Sequence, residues 1–234
     1  MDNLVYGHNN LSFISAQPFS SQVFILYLLV ALLQRIYFSR RIMLEHRMKR
    51  YMFHLQNKVP YTSKDATLIL YKARELIEPE VSVRDARISN KYIELDASIA
   101  EGIDVKSIIG RIVSIAPLVS YEEIKDHHME KDKAIERAVQ LFNDERYWEA
   151  HEVLEQVWKS ATGTEKQILN AIILVAAAFV HDEKNEQDIC ISILQRARRK
   201  LEGATGKYYG IDISRVQDRI SEIINSHNIR RFSI

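Results

Sequence analysis

Between Ile168 and Val180 the chain carries no charged residue. A helix over that stretch is apolar on every face, so in water it is stable only as the central element of a bundle. Its neighbours must come from the flanking sequence. Apolar residues recurring every three or four positions predict helices over about 132–142, 147–159, 165–181, 187–202 and 214–225. Thr164-Glu-Lys-Gln167 has the capping-box pattern that would start the uncharged helix.

Before residue 125 the period differs. Tyr51, Phe53 and Leu55 alternate with Met52, His54 and Gln56, the pattern of a strand. Ser63 can cap a helix that displays Ala66, Ile69, Leu70, Ala73, Leu76 and Ile77 on one face and stops at Pro79. Val81, Val83 and Ile88 form the next strand, and Asn90-Lys91 a turn. Residues 92–99 form another, with Ile93, Leu95 and Ile99 on one face. Asp104 caps a helix bearing Val105, Ile108, Ile109, Ile112 and Ile115, and a last strand runs over 117–121. The order βαββαβ is the ferredoxin-like plan, one antiparallel sheet with two helices on one face. The expected class is α+β: a ferredoxin-like domain over 48–125, then an all-helical bundle domain over 131–227. The charged stretch between them contains His127-His128, which reads as a solvated linker because adjacent helical residues point apart. The sheet reads as a scaffold. Tyr92 and Phe53 lack the glycine-aromatic context of an RNA-reading surface, and Gly102 and Gly110 are isolated rather than clustered around a phosphate.

The N-terminal 1–47 is compositionally distinct. Val23 to Leu33 is an unbroken apolar run, and counted from Phe19 to Phe38 it approaches the ~20 residues of a membrane helix. Arg40, Arg41, Arg47, Lys49 and Arg50 follow it and no Lys or Arg precedes it, which directs the remainder to the cytoplasmic side. The competing expectation is an over-extended start, with Met43 or Met48 in place of Met1 as the true beginning. Both leave the folded part cytoplasmic. Cys190 is the only cysteine, so no internal disulfide forms, and Ile189 and Ile191 beside it suggest an inert buried thiol.

Candidate chemistry concentrates on two helices. In the helix over 147–159, Tyr147, Ala150, Val153, Leu154, Val157 and Trp158 fall on one arc. His151 and Glu155 form an i, i+4 pair at one border of that arc, Glu149 lies at the other, and Glu152 points away. On the uncharged helix, Asn170 and His181 share a face roughly 16 Å apart along the axis. Polar groups there need partners, since a buried unsatisfied group costs ~1–3 kcal/mol. The expected pocket therefore lies between the two helices, lined by Tyr147, Glu149, His151, Glu152, Glu155, Trp158, Asn170 and His181.

Residues 141–158, with Tyr147-Trp-Glu-Ala-His-Glu-Val-Leu-Glu-Gln-Val-Trp158, and the alanine-rich stretch from Ile168 to His181 resemble domain-of-unknown-function family 309. The resemblance covers about 131–211 and implies a small all-helical domain with those eight residues as its marked positions. It implies no reaction and no cofactor. The family usually carries glycine where Glu145 stands, Gln-Gly where Asn170-Ala171 stands, and a glycine-rich turn where Asp182-Glu-Lys-Asn185 stands.

Three functions follow from these residues. The first is a binding or regulatory protein that takes a small ligand or peptide in that pocket. The second is a metal- or acid/base-dependent hydrolase with His151, Glu155 and His181 as ligands and Glu149 or Glu152 as base. The third is nucleic-acid binding by Arg196, Arg198, Arg199, Lys200, Arg230 and Arg231. A net charge of +1 and the lack of aromatic platforms argue against the third.

Overall fold

A computed structural model describes residues 48–234 apart from 59, 80 and 126–128. The apolar segment 19–38 and the His127-His128 pair lie outside the described residues. Strands β1 (Met48–Gln56), β2 (Val81–Ile88), β3 (Tyr92–Ala100) and β4 (Leu118–Glu123) form one sheet in the order β2-β3-β1-β4. All neighbouring pairs are antiparallel. Helix α1 (Ala66–Ile77) follows β1 and helix α2 (Val105–Ile112) follows β3. Their buried residues Ile69, Ala73, Ile77, Ile108 and Ile112 share a core with Phe53, Leu55, Ile93, Leu95 and Ile99 of the sheet.

The apolar positions of β2 change phase, from Val81 and Val83 to Ala86 and Ile88. A bulge between Val83 and Asp85 accounts for it: Val83 pairs with Ala97 and Asp85 with Asp96, so Arg84 is the extra residue. Without the bulge, Ala86 and Ile88 would turn to the other face. Asp104 caps α2 as expected, accepting from the Lys106 N–H at 3.0 Å. At the approach to α1 the cap is Thr62, one residue earlier than the expected Ser63. A 3-10 turn, Ser63–Asp65, leads in, and Asp65 accepts from the Thr62 N–H at 2.8 Å.

The second layer is helical: α3 (Lys131–Asn143), α4 (Tyr147–Ser160), α5 (Gly163–Glu183), α6 (Gln187–Lys200) and α7 (Ile213–Ser226). A short hairpin of β5 (Lys207–Tyr208) and β6 (Ile211–Asp212) separates α6 from α7. Helix α5 packs against α4 and α6, with Leu169, Ala171, Ile172, Ile173, Val175, Ala176, Ala178 and Phe179 buried. By length and composition it could cross a membrane; here it is the bundle's core helix. Two expectations are corrected. Helix α5 is not wholly enclosed, since Asn170, Leu174, Ala177 and His181 form a half-buried stripe along one side. Thr164 is not its cap either: Gly163, at φ 58°, reverses the chain after α4 and starts the helix itself, with Thr162 in the capping position. Phe142, Tyr147, Phe179 and Phe232 lock α3, α4, α5 and the C-terminal tail together, with centroids 4.9 Å apart for Tyr147–Phe179 and 5.0 Å for Phe142–Tyr147.

Two outcomes follow from this packing. Phe179→Ala should cost ~3–5 kcal/mol in urea unfolding, whereas Leu68→Ser, on the exposed side of α1, should stay within about 0.5 kcal/mol. Cys190 is fully buried, and burial pushes its thiol up to about 12. It should resist a disulfide reagent at pH 8 in the native protein and react once urea unfolds the chain; native-state reaction at the unfolded rate contradicts the packing.

Candidate functional site at the sheet–helix junction

The second face of the sheet carries polar residues, and alternation alone assigns them to solvent. The register instead lines them up in rows. Arg87 of β2 pairs with Glu94 of β3, Glu94 with His54 of β1, and His54 with Ser120 of β4. The next row holds Asp85, Asp96, Met52 and Glu122. This face is not solvated: His54 is 0% exposed, Glu94 1%, Arg87 2% and Asp96 3%. The start of α4 covers it, and the end of α5 reaches its β2 edge.

Most of these groups lie against a partner of opposite charge. Arg87 Nε donates to Glu94 Oε2 at 2.9 Å, and its Nη1 lies 3.3 Å from Asp85 Oδ2. Arg50 grips Asp96 with two hydrogen bonds, 2.9 and 2.5 Å, and its guanidinium lies 4.7 Å from the centre of the Trp148 ring. From α4, Glu149 brings Oε1 to 2.9 Å from His54 Nε2, while Glu94 Oε1 lies 3.4 Å from the same nitrogen. Arg146, just before α4, donates to both oxygens of Glu149, 2.6 and 2.5 Å, and also to Glu122. Glu149 sits in the first turn of α4, where the helix dipole favours a negative charge.

The ionisation states follow. Burial opposes the charge on His54, but the adjoining carboxylates of Glu149 and Glu94 outweigh it and raise the imidazole to about 9. Burial likewise opposes the Glu149 charge, and His54, Glu122 and Arg146 overcome it, holding that carboxyl at about 2. Glu122 moves the other way: its neighbour Glu149 and burial push it up to about 7, against the pull of Arg146. At neutral pH this corner therefore contains one firmly ionised carboxylate beside one that can carry a proton, a division suited to acid and base roles. Glu183, at the end of α5, is fully buried, and among the described residues neither of its side-chain oxygens has a hydrogen-bond partner. Burial and the charge of Glu94 raise it well above the carboxylate range.

A cleft of about 200 Å³ opens over Glu122 and Glu149. Its walls come from β4 and Ile124, from Met129, Arg137 and Leu141 on the approach to and along α3, and from Trp148, Glu152 and Val153 on α4. Of the residues expected to share a pocket, Glu149 and Glu152 are in this cleft, which lies between β4, α3 and α4 rather than between α4 and α5. Tyr147 is a core residue, 1% exposed. His151 lies 3.4 Å from Glu152 and 3.5 Å from Glu155 on its own helix. His181 pairs separately with Glu186 at 2.5 Å. Trp158 is half-buried, with Lys166 Nζ 4.6 Å from its ring centre, and Asn170 stands on the half-buried stripe of α5. Arg231 is not part of a free basic surface. It donates to Asp182 at 2.8 Å and to the Ile88 carbonyl at 3.2 Å, tying the tail to both layers.

Sequence reasoning missed His54, Arg87, Glu94, Asp96, Glu122, Arg146 and Glu183. One signal was present: on the non-core face Arg87 of β2 stands opposite Glu94 of β3, although the next pair, Asp85 and Asp96, carries like charges. The glycine replacements are also explained. Glu145 and Asn185 adopt the left-handed conformation, φ 61° and 63°, that glycine takes without strain. Glu145 also has a role there, accepting from the Asn90 backbone N–H at 2.8 Å and its side-chain amide at 3.0 Å.

Arg87→Met strands Glu94 as a buried charge and should cost ~3–5 kcal/mol in urea unfolding. The double variant Arg87→Met/Glu94→Met removes both charges and should recover at least half of that loss. Equal destabilisation by the single and double variants contradicts the assignment.

Over residues 135–193 the chain matches the family model described as "Domain of unknown function (DUF309)". The comparison with curated proteins found no match. Among solved structures, the chain is similar to a conserved hypothetical protein from Thermus thermophilus, at 31% identity and a TM-score of 0.35. That similarity covers 38% of this chain and 94% of the other. Glu149 lies inside the matched range, whereas His54, Arg87 and Glu94 lie outside it. The DUF309 match thus lies within the helical part of the chain, over residues 135–193.

Proposed function

We propose that this is a binding or regulatory protein whose site is the cleft over Glu122 and Glu149, and that its ligand is a small organic cation with an apolar body. The observation that carries the reading is the lining. Glu122, Glu123, Glu149 and Glu152 face the cleft against Lys125 and Arg137, while Met52, Ile124, Met129, Leu141 and Val153 supply apolar walls. The volume lies below the ~300–1,000 Å³ of drug-sized sites, which favours a ligand of one ring or a short chain. A second reading, acid/base hydrolysis, is favoured by one specific observation: two carboxyl groups held at about 7 and about 2 share Arg146. On that reading Glu122 and Glu149 take the roles expected from sequence of His151, Glu155 and His181.

Two further elements belong to this proposal. Strand order and pairing support the ferredoxin-like plan for 48–125, with 131–227 as the helical domain. The other is a cytoplasmic location, kept as an expectation from the lone cysteine of the sequence.

The test is an amide-shift titration of the full chain with phenethylammonium, with phenylacetate as the anionic control. The cation should shift the amides of Glu149, Glu152 and Val153, and the anion should not. Glu152→Gln should weaken binding about fivefold, the ~1 kcal/mol of a rim charge. Equal response to the anion, or shifts confined to other surfaces, overturns the reading.

A further inference from the structure

Beneath the cleft, three side chains from three elements converge: His54 of β1, Glu94 of β3 and Glu149 of α4. Their ligating atoms, His54 Nε2 and one carboxylate oxygen from each glutamate, all lie within 4.8 Å of one another. We propose that these residues form a binding site for a first-row transition dication of zinc size, distinct from the organic-cation cleft though it shares Glu149 with it.

An ion-pair network alone leaves a remainder unexplained. His54 Nε2 and Glu94 Oε1 are buried, yet neither makes a hydrogen bond among the described residues. They lie 3.4 Å apart, and Nε2 lies 2.9 Å from Glu149 Oε1 without hydrogen-bond alignment. Buried polar atoms are nearly always satisfied, so two unsatisfied atoms facing one another need a reason. A metal ion supplies it. With metal–ligand distances of about 2.0–2.2 Å, a tetrahedral site has donor–donor edges of roughly 3.3–3.6 Å; the His54–Glu94 separation of 3.4 Å matches, and the His54–Glu149 separation of 2.9 Å would open on binding.

Two of the three donors are held by their other edges. Arg87 binds Glu94 through Oε2, which leaves Oε1 turned toward His54. Ser120 Oγ lies 3.4 Å from His54 Nδ1, which leaves Nε2 for the metal. Arg146 fixes Glu149 through both oxygens, including the Oε1 that faces His54, so that oxygen would be shared between Arg146 and the ion. Outer partners that orient an imidazole and carboxylates in this way are the usual support of a metal site. One imidazole and two carboxylates suit Zn²⁺, Co²⁺ or Mn²⁺ better than Mg²⁺, which demands six oxygens. Three protein ligands leave a fourth position open. Glu149 lines the cleft, so an ion has a route from solvent.

The test is a cobalt titration of the chelator-treated full chain, followed by visible absorption and displaced with ZnCl₂. One equivalent should produce the intense bands of four-coordinate cobalt. His54→Gln, with its fold checked by circular dichroism, should weaken binding at least tenfold. His151→Gln and His181→Gln should leave it unchanged, since their own carboxylate pairs are the competing surface sites. Val153→Trp, which fills the cleft, should abolish phenethylammonium binding and spare the metal, so the two readings fail separately. If His54→Gln does not fold, ¹⁵N spectra of histidine-labelled wild type decide: ZnCl₂ should shift Nε2 of the imidazole that cross-relaxes with Tyr92, its edge-on neighbour at 5.6 Å. No stoichiometric metal, bands that survive His54→Gln, or bands lost in the His151 or His181 variants overturn the proposal.

Discussion

The contact between Arg87 and Glu94, both almost without solvent exposure, is the constraint on which the rest of the molecule depends. Two charges placed in a dry interior cost several kcal/mol each, and their attraction offsets that only when the geometry is good and the remaining donors and acceptors are occupied. Asp85 and Met52 Sδ, which is 3.1 Å from Arg87 Nη2, provide part of that occupancy, and His54 lies 3.4 Å from Glu94. The pair therefore requires a lid. The start of α4 supplies it, with Trp148 lying near both Arg50 and Arg87 and with Glu149 answering His54. The positions of Arg146 and Glu122, and so the cleft, follow from where that lid sits.

A sheet covered on both faces is hard to read when one face is charged. Phe53, Leu55, Ile93, Leu95 and Ile99 were legible as a core face because their alternation is regular. Glu94 and Asp96 alternate with them just as regularly, and polarity normally marks the solvent side. Their burial depends on Arg146 and Glu149, which are distant in sequence, and no local rule joins those positions. Smaller departures have local causes. The bulge at Arg84 rephases β2, and the left-handed backbone at Gly163 moves the start of α5 ahead of its expected cap.

The helical layer was more legible, because α5 is so apolar that its neighbours had to surround it. The family motif on α4 is legible in the sequence, and two of its carboxylates line a cleft, though not the one expected between α4 and α5. Glu149 and Glu152 reach the cleft, while His151 and His181 find carboxylates in their own neighbourhoods. Helical periodicity places a side chain on a face but does not say which element covers that face. Sequence alone pairs α4 with α5; at Glu149 the cover is the sheet. The same reasoning treats Arg231 as a free cation, whereas Asp182 and the Ile88 carbonyl hold it in place.

If charges buried at the junction bind the two layers, sheet and bundle must open together. Native-state hydrogen exchange on the full chain measures this directly, residue by residue, across a range of low denaturant. The amides of His54, Leu95 and Val153 are expected to converge on a single opening free energy, equal to that of global unfolding. Exchange of α4 through a separate, lower-energy opening, with β1 and β3 still protected, would show that the lid is only loosely held and that the junction does not organise the molecule.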